Sequence, residues 1–508
     1  MSNLKLGNIQ GNILGGFNKD FQNFLFLKFK STEKGRAWIS EITDSDMGVA
    51  NSSSKEVLKF NAQFKALKAR GITKPETIIR SAWTNLAISW AGLKALGVPD
   101  RTLNKFPADF IEGMAARKTL VGDLGKSDPS RWTAPFGPGD IHAILSVAAD
   151  DLNDLNNRIA VIKVKQEFIN GVVVLHEQEG RVRSDEPGHE HFGFLDGVSQ
   201  PGIRGITRPD DPLSNPNQGH PGQDLLWPGE FVLGYPTQIP TAKNGVDGLN
   251  PDPGPTSVSG PRWTRDGSYL VFRRLAQDVP AFRKQVKALA NASGLMEDLM
   301  GAKLVGRYKS GCPIEKRAFQ PEPFTPANID PGIANPALAK SDTLNNNFEF
   351  GEDEDGKICP LSAHIRKAYP RDEQIIGVPH EADSESETQT HRLLRRGIPF
   401  GASFDQPSDK GGGAGEARGL LFVCYQKSIE QQFELVQSQW VNDTNFPPFP
   451  TGVTPGEDPI IAQSLSGTFQ LDPTKPNIGV DHFVTTTGGE YFFAPSIAAL
   501  RKLGNGTI

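Results

Sequence analysis

Apolar runs and amphipathic periods divide the chain into strand-like and helix-like stretches. Short apolar runs predict strands, and they occur at residues 24–29, 85–89, 141–147, 171–175 and 420–425. An amphipathic period near 3.6 predicts helices at residues 152–165, 282–290 and 428–440. Strands and helices follow one another in mixed order, without the repeated pattern of a dinucleotide-binding fold. This order is typical of an α+β fold.

Three polar or glycine-rich stretches interrupt these elements. The Pro/Gly-rich tract at residues 209–261 predicts a linker between two lobes or a long surface excursion. Residues 379–390 are rich in acids and predict a loop. Residues 411–419 (GGGAGEARG) lack the spacing of a dinucleotide-binding loop and precede a strand, so they predict a flexible loop.

Composition excludes several classes of protein. The 508 residues are 37% hydrophobic, which is ample for a buried core. A net charge of -5 gives no general attraction to nucleic acid or anionic lipid. No apolar run approaches the roughly 18–20 residues of a membrane span. Residues 1–11 lack the basic start and apolar centre of a signal peptide.

The three cysteines, Cys312, Cys359 and Cys424, are widely spaced. They cannot form a disulfide framework or a Cys-x-x-Cys metal site. We therefore expect reduced, partly buried thiols.

The segment at residues 193–197 (GFLDG) is the most informative part of the chain, because its glycines allow Asp196 to approach a flat ligand closely. An Asp-Gly pair alone is an ordinary turn. Further motifs follow or surround it in a fixed order. They are CPLSAHIRKAYPRD at residues 359–372, RRGIPFG at 395–401, RGLLFVCYQ at 418–426, NIQGNILGGF at 8–17 and GGEYFFAPS at 488–496.

This ordered set, which spans almost the whole chain, resembles the dye-decolorizing peroxidases, in particular those of fungi. The resemblance implies two ferredoxin-like lobes with antiparallel sheets and surrounding helices, as in the dimeric α+β barrel superfamily, with haem b between them. The N-terminal lobe would span residues 1–225 and the C-terminal lobe residues 226–508. The implied activity is the oxidation of dyes and phenolic compounds by hydrogen peroxide through a ferryl porphyrin-radical intermediate. Family habit further implies secretion.

The resemblance also implies roles for residues on the iron-ligand side. His364 matches the proximal iron ligand, inside a helix that we expect to begin near Pro360. Asp458, beside Glu457, matches the acid that hydrogen-bonds this histidine and gives it anionic character. Arg366 is assigned to the haem propionates. Arg371 is a second candidate for this role.

On the opposite haem face, Asp196 resembles the base that moves a proton between the peroxide oxygens. Arg395 resembles the cation that stabilises the departing oxygen, with Arg396 as the alternative. Leu420 and Phe422 lie two apart on a predicted strand and share a face, which the resemblance assigns to the distal pocket.

Bulky dyes need a route for electrons through the protein, and Trp440 matches the family's surface tryptophan for this purpose. Phe400 stands where some relatives carry a redox tyrosine, and a phenylalanine cannot form a phenoxyl radical. A Mn²⁺ site is a further candidate, formed by the acids Glu381, Asp383, Glu385 and Glu387.

Two alternatives stay open. His189 and His191 form an HxH pair that could hold copper or zinc, although no third ligand is clustered with them. A haem-binding or dechelatase-type protein of the same fold, without robust turnover, is the alternative function. A chlorite-decomposing enzyme shares the fold but lacks the Asp196 carboxylate.

Overall fold

The computed structural model describes residues 4–44, 50–72, 78–210, 216–241, 250–315, 330–373, 381–404, 417–448, 454–463 and 467–508. Its strands are β1 (Phe21–Phe29), β2 (Ala82–Ile88), β3 (Ala143–Ala149), β4 (Val172–Arg181), β5 (Gly202–Ile203), β6 (Leu225–Leu226), β7 (Ser268–Gln277), β8 (Leu394–Arg395), β9 (Ile398–Phe400), β10 (Gly419–Gln426), β11 (Thr468–Phe469), β12 (Ile478–Gly479) and β13 (Val484–Ala494). All five predicted strands are confirmed in position.

Helices flank these strands. They are α1 (Gly11–Leu14), α2 (Thr32–Asp44), α3 (Ser54–Ala69), α4 (Trp90–Ala95), α5 (Asp100–Leu103), α6 (Ala108–Glu112), α7 (Lys118–Val121), α8 (Leu152–Lys163), α9 (Gln166–Gly171), α10 (Val279–Ser293), α11 (Glu297–Val305), α12 (Pro331–Ala334), α13 (Pro336–Ala339), α14 (Asp342–Asn345), α15 (His364–Ala368), α16 (Glu381–Thr388) and α17 (Ile497–Gly504). Two π-helical segments, Ile429–Glu434 and Val436–Val441, form the helix predicted at residues 428–440.

Local chemistry sets the ends of the predicted helices. The side chain of Asp151 accepts two backbone N–H groups at the start of α8, and that of Asp278 caps α10 in the same way. Gly294 ends α10 in the left-handed region, at φ 67°, where a side chain would be strained. Within the described ranges, no helix combines the length and apolarity needed to cross a membrane.

Nine of the described strands form one antiparallel sheet with the order β4-β1-β3-β2-β13-β7-β10-β8, and β9 also pairs with β10. Each half has the same internal order, because β13, β7, β10 and β8 repeat the arrangement of β4, β1, β3 and β2. This is the ferredoxin-like arrangement, and it confirms the predicted α+β fold. The halves join where Phe493 pairs with Ile88. The predicted boundary between residues 225 and 226 lies in the connection between the halves and stays a prediction.

Aromatic rings pack the two halves together. Phe26 of β1 lies 4.9 Å from Phe272 of β7 and 4.8 Å from Phe136, between ring centroids. All three side chains are buried, and burying one such ring stabilises a fold by about 1.5–3 kcal/mol. The three cysteines are unpaired and buried, as expected.

Two predicted loops have different outcomes. The prediction of an acidic loop at residues 379–390 is wrong, because residues 381–388 form the helix α16. Most of the predicted glycine-rich loop at residues 411–419 lies outside the described residues.

Candidate active site

One cavity of about 250 Å³ brings together residues from both halves of the chain. Six of the predicted site residues line it, namely Asp196, His364, Arg395, Leu420, Phe422 and Trp440. They lie up to 244 positions apart in the sequence, between Asp196 and Trp440. Asp458 and Arg366 do not line the cavity and lie behind its wall.

The loop that carries Asp196 is held by the half-buried carboxylate of Glu190. Glu190 accepts the backbone N–H groups of Phe192 and Phe194, both at 2.8 Å, and the side-chain amide of Gln277 at 2.5 Å. Gly193 and Gly197 take the left-handed φ values of 96° and 75° that this tight path requires. Desolvation by the surrounding protein raises the pKa of the Glu190 carboxyl.

Two phenylalanines anchor the same loop to the helix α10. Phe192 stacks on Phe282 with ring centroids 4.2 Å apart, and Phe194 meets the edge of the same ring at 6.3 Å. The loop is therefore fixed by hydrogen bonds and packing in the residues just before Asp196. Glu190, Phe192 and Phe194 stand in the motif HEHFGFLDG, but their supporting roles were not predicted.

Asp196 and Arg395 meet inside the cavity. Nη1 of Arg395 donates to Oδ1 of Asp196 at 3.0 Å, and Nη2 donates to the carbonyl oxygen of Ser199 at 3.1 Å. Both side chains are about a third exposed, at 34% and 37%. The pair thus places an acceptor and a permanent cation side by side with room for a small molecule.

Arg396, the alternative to Arg395, points away from the cavity. It donates to the carbonyl oxygens of Asn12 and Ile13 at 2.9 and 3.0 Å. Burial lowers the pKa of its guanidinium to about 10. The structure therefore places Arg395, and not Arg396, in the wall beside Asp196.

His364 begins the helix α15, so the prediction of a helix start near Pro360 is wrong by four residues. Its Nδ1 is hydrogen-bonded to Oδ2 of Asp458 at 2.8 Å. Burial lowers the pKa of His364, but the charge and hydrogen bond of Asp458 outweigh it and the pKa is raised. Glu457, the neighbour of Asp458, faces His482 instead, at 3.0 Å.

Arg366 was expected at the haem propionates, and this expectation is wrong. The side chain is fully buried and bonds Asp353 at 3.3 Å, the carbonyl oxygen of Cys359 at 2.7 Å, and Glu373. Its guanidinium is therefore paired with acids of the protein itself. Arg366 lies two positions after His364 in α15, so its side chain leaves the helix on another face and enters a buried acidic cluster.

Besides Arg395, four arginines line the cavity, namely Arg273, Arg307, Arg371 and Arg392, and Arg307 and Arg371 are the two candidate partners for an acidic group. Arg371 donates to the carbonyl oxygen of Phe348 at 2.7 Å. Arg307 donates to two carbonyl oxygens at 2.9 and 2.5 Å and, among the described residues, has no carboxylate within ion-pair distance. Burial lowers its pKa to about 9. No local motif marks Arg307, so sequence reasoning missed it.

Trp440 is not a surface residue, which corrects the predicted surface relay. Its side chain is only 4% exposed. It stacks on Phe446 at 5.4 Å and meets the edge of His391 at 5.3 Å. Phe446, which is itself buried, covers one face of the indole, while Trp440 still lines the cavity.

The predicted metal sites outside the cavity have no support. His191 is hydrogen-bonded to the carbonyl oxygen of Phe400 at 2.8 Å, and His189 to that of Pro187 at 3.2 Å. Neither lies on a strand. Within the part of the chain that the structure describes, no group of three or more His, Cys, Asp or Glu side chains could hold a metal ion.

Those acids of the segment whose side chains the structure describes, Glu385 and Glu387, do not form an open Mn²⁺ site. The side chains of Glu381 and Asp383 lie outside the described residues. Glu385 is turned inward, and burial raises the pKa of its carboxyl. Glu387 is hydrogen-bonded to His391 at 3.3 Å.

The cavity has the donor set that an iron porphyrin requires. One imidazole has its Nδ1 held by a carboxylate, which leaves Nε2 for iron. Leu420, Phe422 and Val305 supply apolar wall, and Arg307 and Arg371 supply cations. The residues therefore fit a flat, apolar group with acidic substituents.

Comparisons with known proteins agree with this description. Two family models match the chain, "DyP dimeric alpha+beta barrel domain" over residues 8–184 and "Dyp-type peroxidase, C-terminal" over residues 256–447. The dye-decolorizing peroxidase msp1 of Mycetinis scorodonius is 34% identical, over 98% of this chain and 88% of that protein. The solved structure of an ancestral D-type dye decolorizing peroxidase has a TM-score of 0.77 and 33% identity, with 99% of each chain covered. A dye-decolorizing peroxidase in complex with 2,6-dimethoxyphenol has a TM-score of 0.74 and 31% identity, covering 99% of this chain and 100% of that chain.

Proposed function

The chain belongs to the dye-decolorizing peroxidase family, and on this premise we propose how its residues perform the reaction. It is a haem-binding peroxidase that oxidises dyes with hydrogen peroxide. We propose haem b as the cofactor and phenolic compounds as further substrates. The ionised pair of Asp196 and Arg395, 3.0 Å apart in the same cavity as His364, carries the proposal.

His364 would hold the haem through Nε2. The hydrogen bond from Nδ1 to Asp458 supports this role, because it fixes the tautomer and makes the imidazole a stronger electron donor. Arg307 and Arg371 would pair with the propionates, in place of Arg366. The haem, once bound, supplies the two electrons that cleave the O–O bond of hydrogen peroxide.

Asp196 would accept the proton from the peroxide oxygen that stays behind and deliver it to the departing oxygen. Arg395 would stabilise the negative charge on the departing oxygen without changing its own protonation. Their hydrogen bond aligns the carboxylate beside the cation before peroxide enters. Leu420 and Phe422 limit the distal space to small molecules, so bulky dyes would give their electrons from outside the cavity.

A haem carrier or dechelatase is the alternative function. Passive binding requires His364 and the cations for the propionates, but it has no use for an ionised Asp–Arg pair in the pocket. The pair therefore favours peroxidase turnover. Secretion is proposed from the family resemblance alone, and Mn²⁺ is not included in the proposed reaction.

A single-turnover experiment tests the proposal. Haem-loaded protein is mixed with one equivalent of hydrogen peroxide and the Soret band is followed by stopped flow. We expect a rapid spectral change that added dye reverses. Slow bleaching of the Soret band without dye oxidation would instead support the carrier.

A further inference from the structure

A tyrosine stands in the wall of the haem cavity. Tyr369 follows the helix α15 and lies five positions after His364. The chain has six tyrosines, and among the described residues Tyr369 is the one whose side chain lines this cavity. A phenol in this position is close to the cofactor that the pocket fits.

The hydroxyl of Tyr369 is paired with a buried base. It donates a hydrogen bond to Oδ2 of Asp224, whose side chain is only 6% exposed. The same oxygen accepts a 2.7 Å hydrogen bond from Nη1 of Arg392. Arg392 therefore holds the carboxylate in place against the phenol.

Two guanidinium groups also lie on the ring of Tyr369. The centre of the Arg392 guanidinium is 3.5 Å from the ring centroid, and that of Arg371 is 4.8 Å from it. Positive charge at this range opposes removal of an electron from the ring. The opposition is reduced if the phenolic proton leaves together with the electron, because the ring then stays neutral.

Asp224 is placed to take that proton. Burial raises the pKa of Tyr369 well above its usual value, so the phenol keeps its proton at neutral pH. Oxidation of Tyr369 must therefore be coupled to proton transfer. The existing hydrogen bond supplies the path without any movement of the backbone.

We propose that Tyr369 is a redox-active residue that stores one oxidising equivalent of the peroxidase reaction. The inference rests on the proposed haem peroxidase function. After hydrogen peroxide has removed two electrons from the haem centre, Tyr369 returns one of them. Its O–H bond breaks, the proton forms a new O–H bond on Asp224, and a neutral phenoxyl radical remains. One electron from an aromatic substrate and the proton from Asp224 then restore the phenol.

Other aromatic residues are poorer carriers. Phe400 has no phenol, and no carboxylate of the described ranges is hydrogen-bonded to Trp440. Tyr235 also donates to a buried carboxylate, that of Asp266 at 2.6 Å, but it does not line the cavity. Tyr235 is thus a matched control, with the same chemistry in a different place.

The test is electron paramagnetic resonance of haem-loaded protein, frozen rapidly after one equivalent of hydrogen peroxide without reducing substrate. We expect a tyrosyl signal whose hyperfine structure narrows when ring-deuterated tyrosine is incorporated. Tyr369→Phe and Asp224→Asn should lose this signal, and Tyr235→Phe should keep it. The haem content of each variant is measured by its Soret absorbance, and the samples are compared at equal haem content.

A tyrosyl signal that persists unchanged in Tyr369→Phe would overturn the assignment, and its persistence in Asp224→Asn would overturn the role of the base. If a variant does not fold, a nitroso spin trap is added to the wild-type protein and the labelled peptide is located by mass spectrometry. A label on Tyr369 supports the assignment, and a label confined to another residue overturns it. Haem-loaded wild type that does not consume peroxide refutes the proposed function itself.

Discussion

Nδ1 of His364 lies 2.8 Å from Oδ2 of Asp458, although 94 positions separate the two residues in the sequence. The other oxygen of Asp458 accepts the backbone N–H groups of Ile460 and Ile461 at 2.7 and 3.0 Å. An ionised carboxylate only accepts hydrogen bonds, so Nδ1 carries the proton and Nε2 keeps its lone pair.

Asp458→Asn should weaken haem binding by about 10–100-fold, the range for partners that orient a metal ligand. The amide oxygen would stay with Ile460 and Ile461, so the amide nitrogen would face His364 and favour the wrong tautomer. Haem titration of the apoprotein measures the affinity. Glu457→Gln is the control, because Glu457 does not contact His364. Equal affinity of Asp458→Asn and wild type would contradict the orienting role.

Haem uptake by the wild-type apoprotein should fall as pH decreases. Asp458 raises the pKa of His364 above its ordinary value of 6.5, and a protonated imidazole cannot bind iron. Protons therefore compete with haem, and uptake should decline as pH falls through the raised pKa. Haem affinity should begin to fall at a pH above about 6.5, the ordinary pKa of histidine. Soret titrations across this range measure it, and uptake that does not change with pH would argue against His364 as the ligand.

Asp196→Asn should slow the first reaction with peroxide by about 10²–10⁴-fold while haem binding stays intact. The amide has the shape of the carboxylate and can still accept from Arg395, but it cannot take a proton. Stopped-flow measurement of the first Soret change gives the rate. If Arg395→Leu is far more damaging, the cation is the dominant group and the carboxylate is secondary.

Trp440→Ser should destabilise the protein, because it leaves a void between Phe446 and His391. Replacement of a buried tryptophan by a small residue costs about 3–5 kcal/mol. The free energy of unfolding, measured with urea, should fall by that order, and Trp440→Phe should lose less. An unchanged free energy of unfolding together with loss of activity on bulky dyes alone would instead favour an electron relay.

Arg366→Met and Arg307→Met should have different effects, because Arg366 supports folding whereas Arg307 is proposed to support haem binding. Arg366→Met leaves Asp353 and Glu373 buried without a cation, which costs about 3–5 kcal/mol of stability. Arg307 has no acidic partner among the described residues, so Arg307→Met should cost less stability than Arg366→Met, about 1–3 kcal/mol for the two carbonyl oxygens that lose their donor, while haem affinity falls. Urea unfolding and haem titration distinguish them. Normal haem affinity of Arg307→Met would remove Arg307 from the propionate site.

Local patterns in the sequence were sufficient to predict the strands and helices and to identify the motif residues. The apolar run at residues 24–29 lies in β1, where residues 24–27 are all buried, because a short continuous apolar run is a property of neighbouring residues. The motif order predicted Asp196, Arg395 and His364, and the structure brings these side chains into one cavity. Asp458 was also predicted correctly as the partner of His364.

Tertiary structure alone decided how each side chain is used, since exposure and ion pairing depend on residues distant in the sequence. Phe446 covers Trp440, and Asp353 and Glu373 occupy Arg366, which no local pattern shows. Arg307 and Tyr369 reach the cavity only because segments far apart in the chain meet there. The sequence thus determined the fold class and the motif residues, whereas packing between distant segments determined which cations, phenol and indole line the cavity.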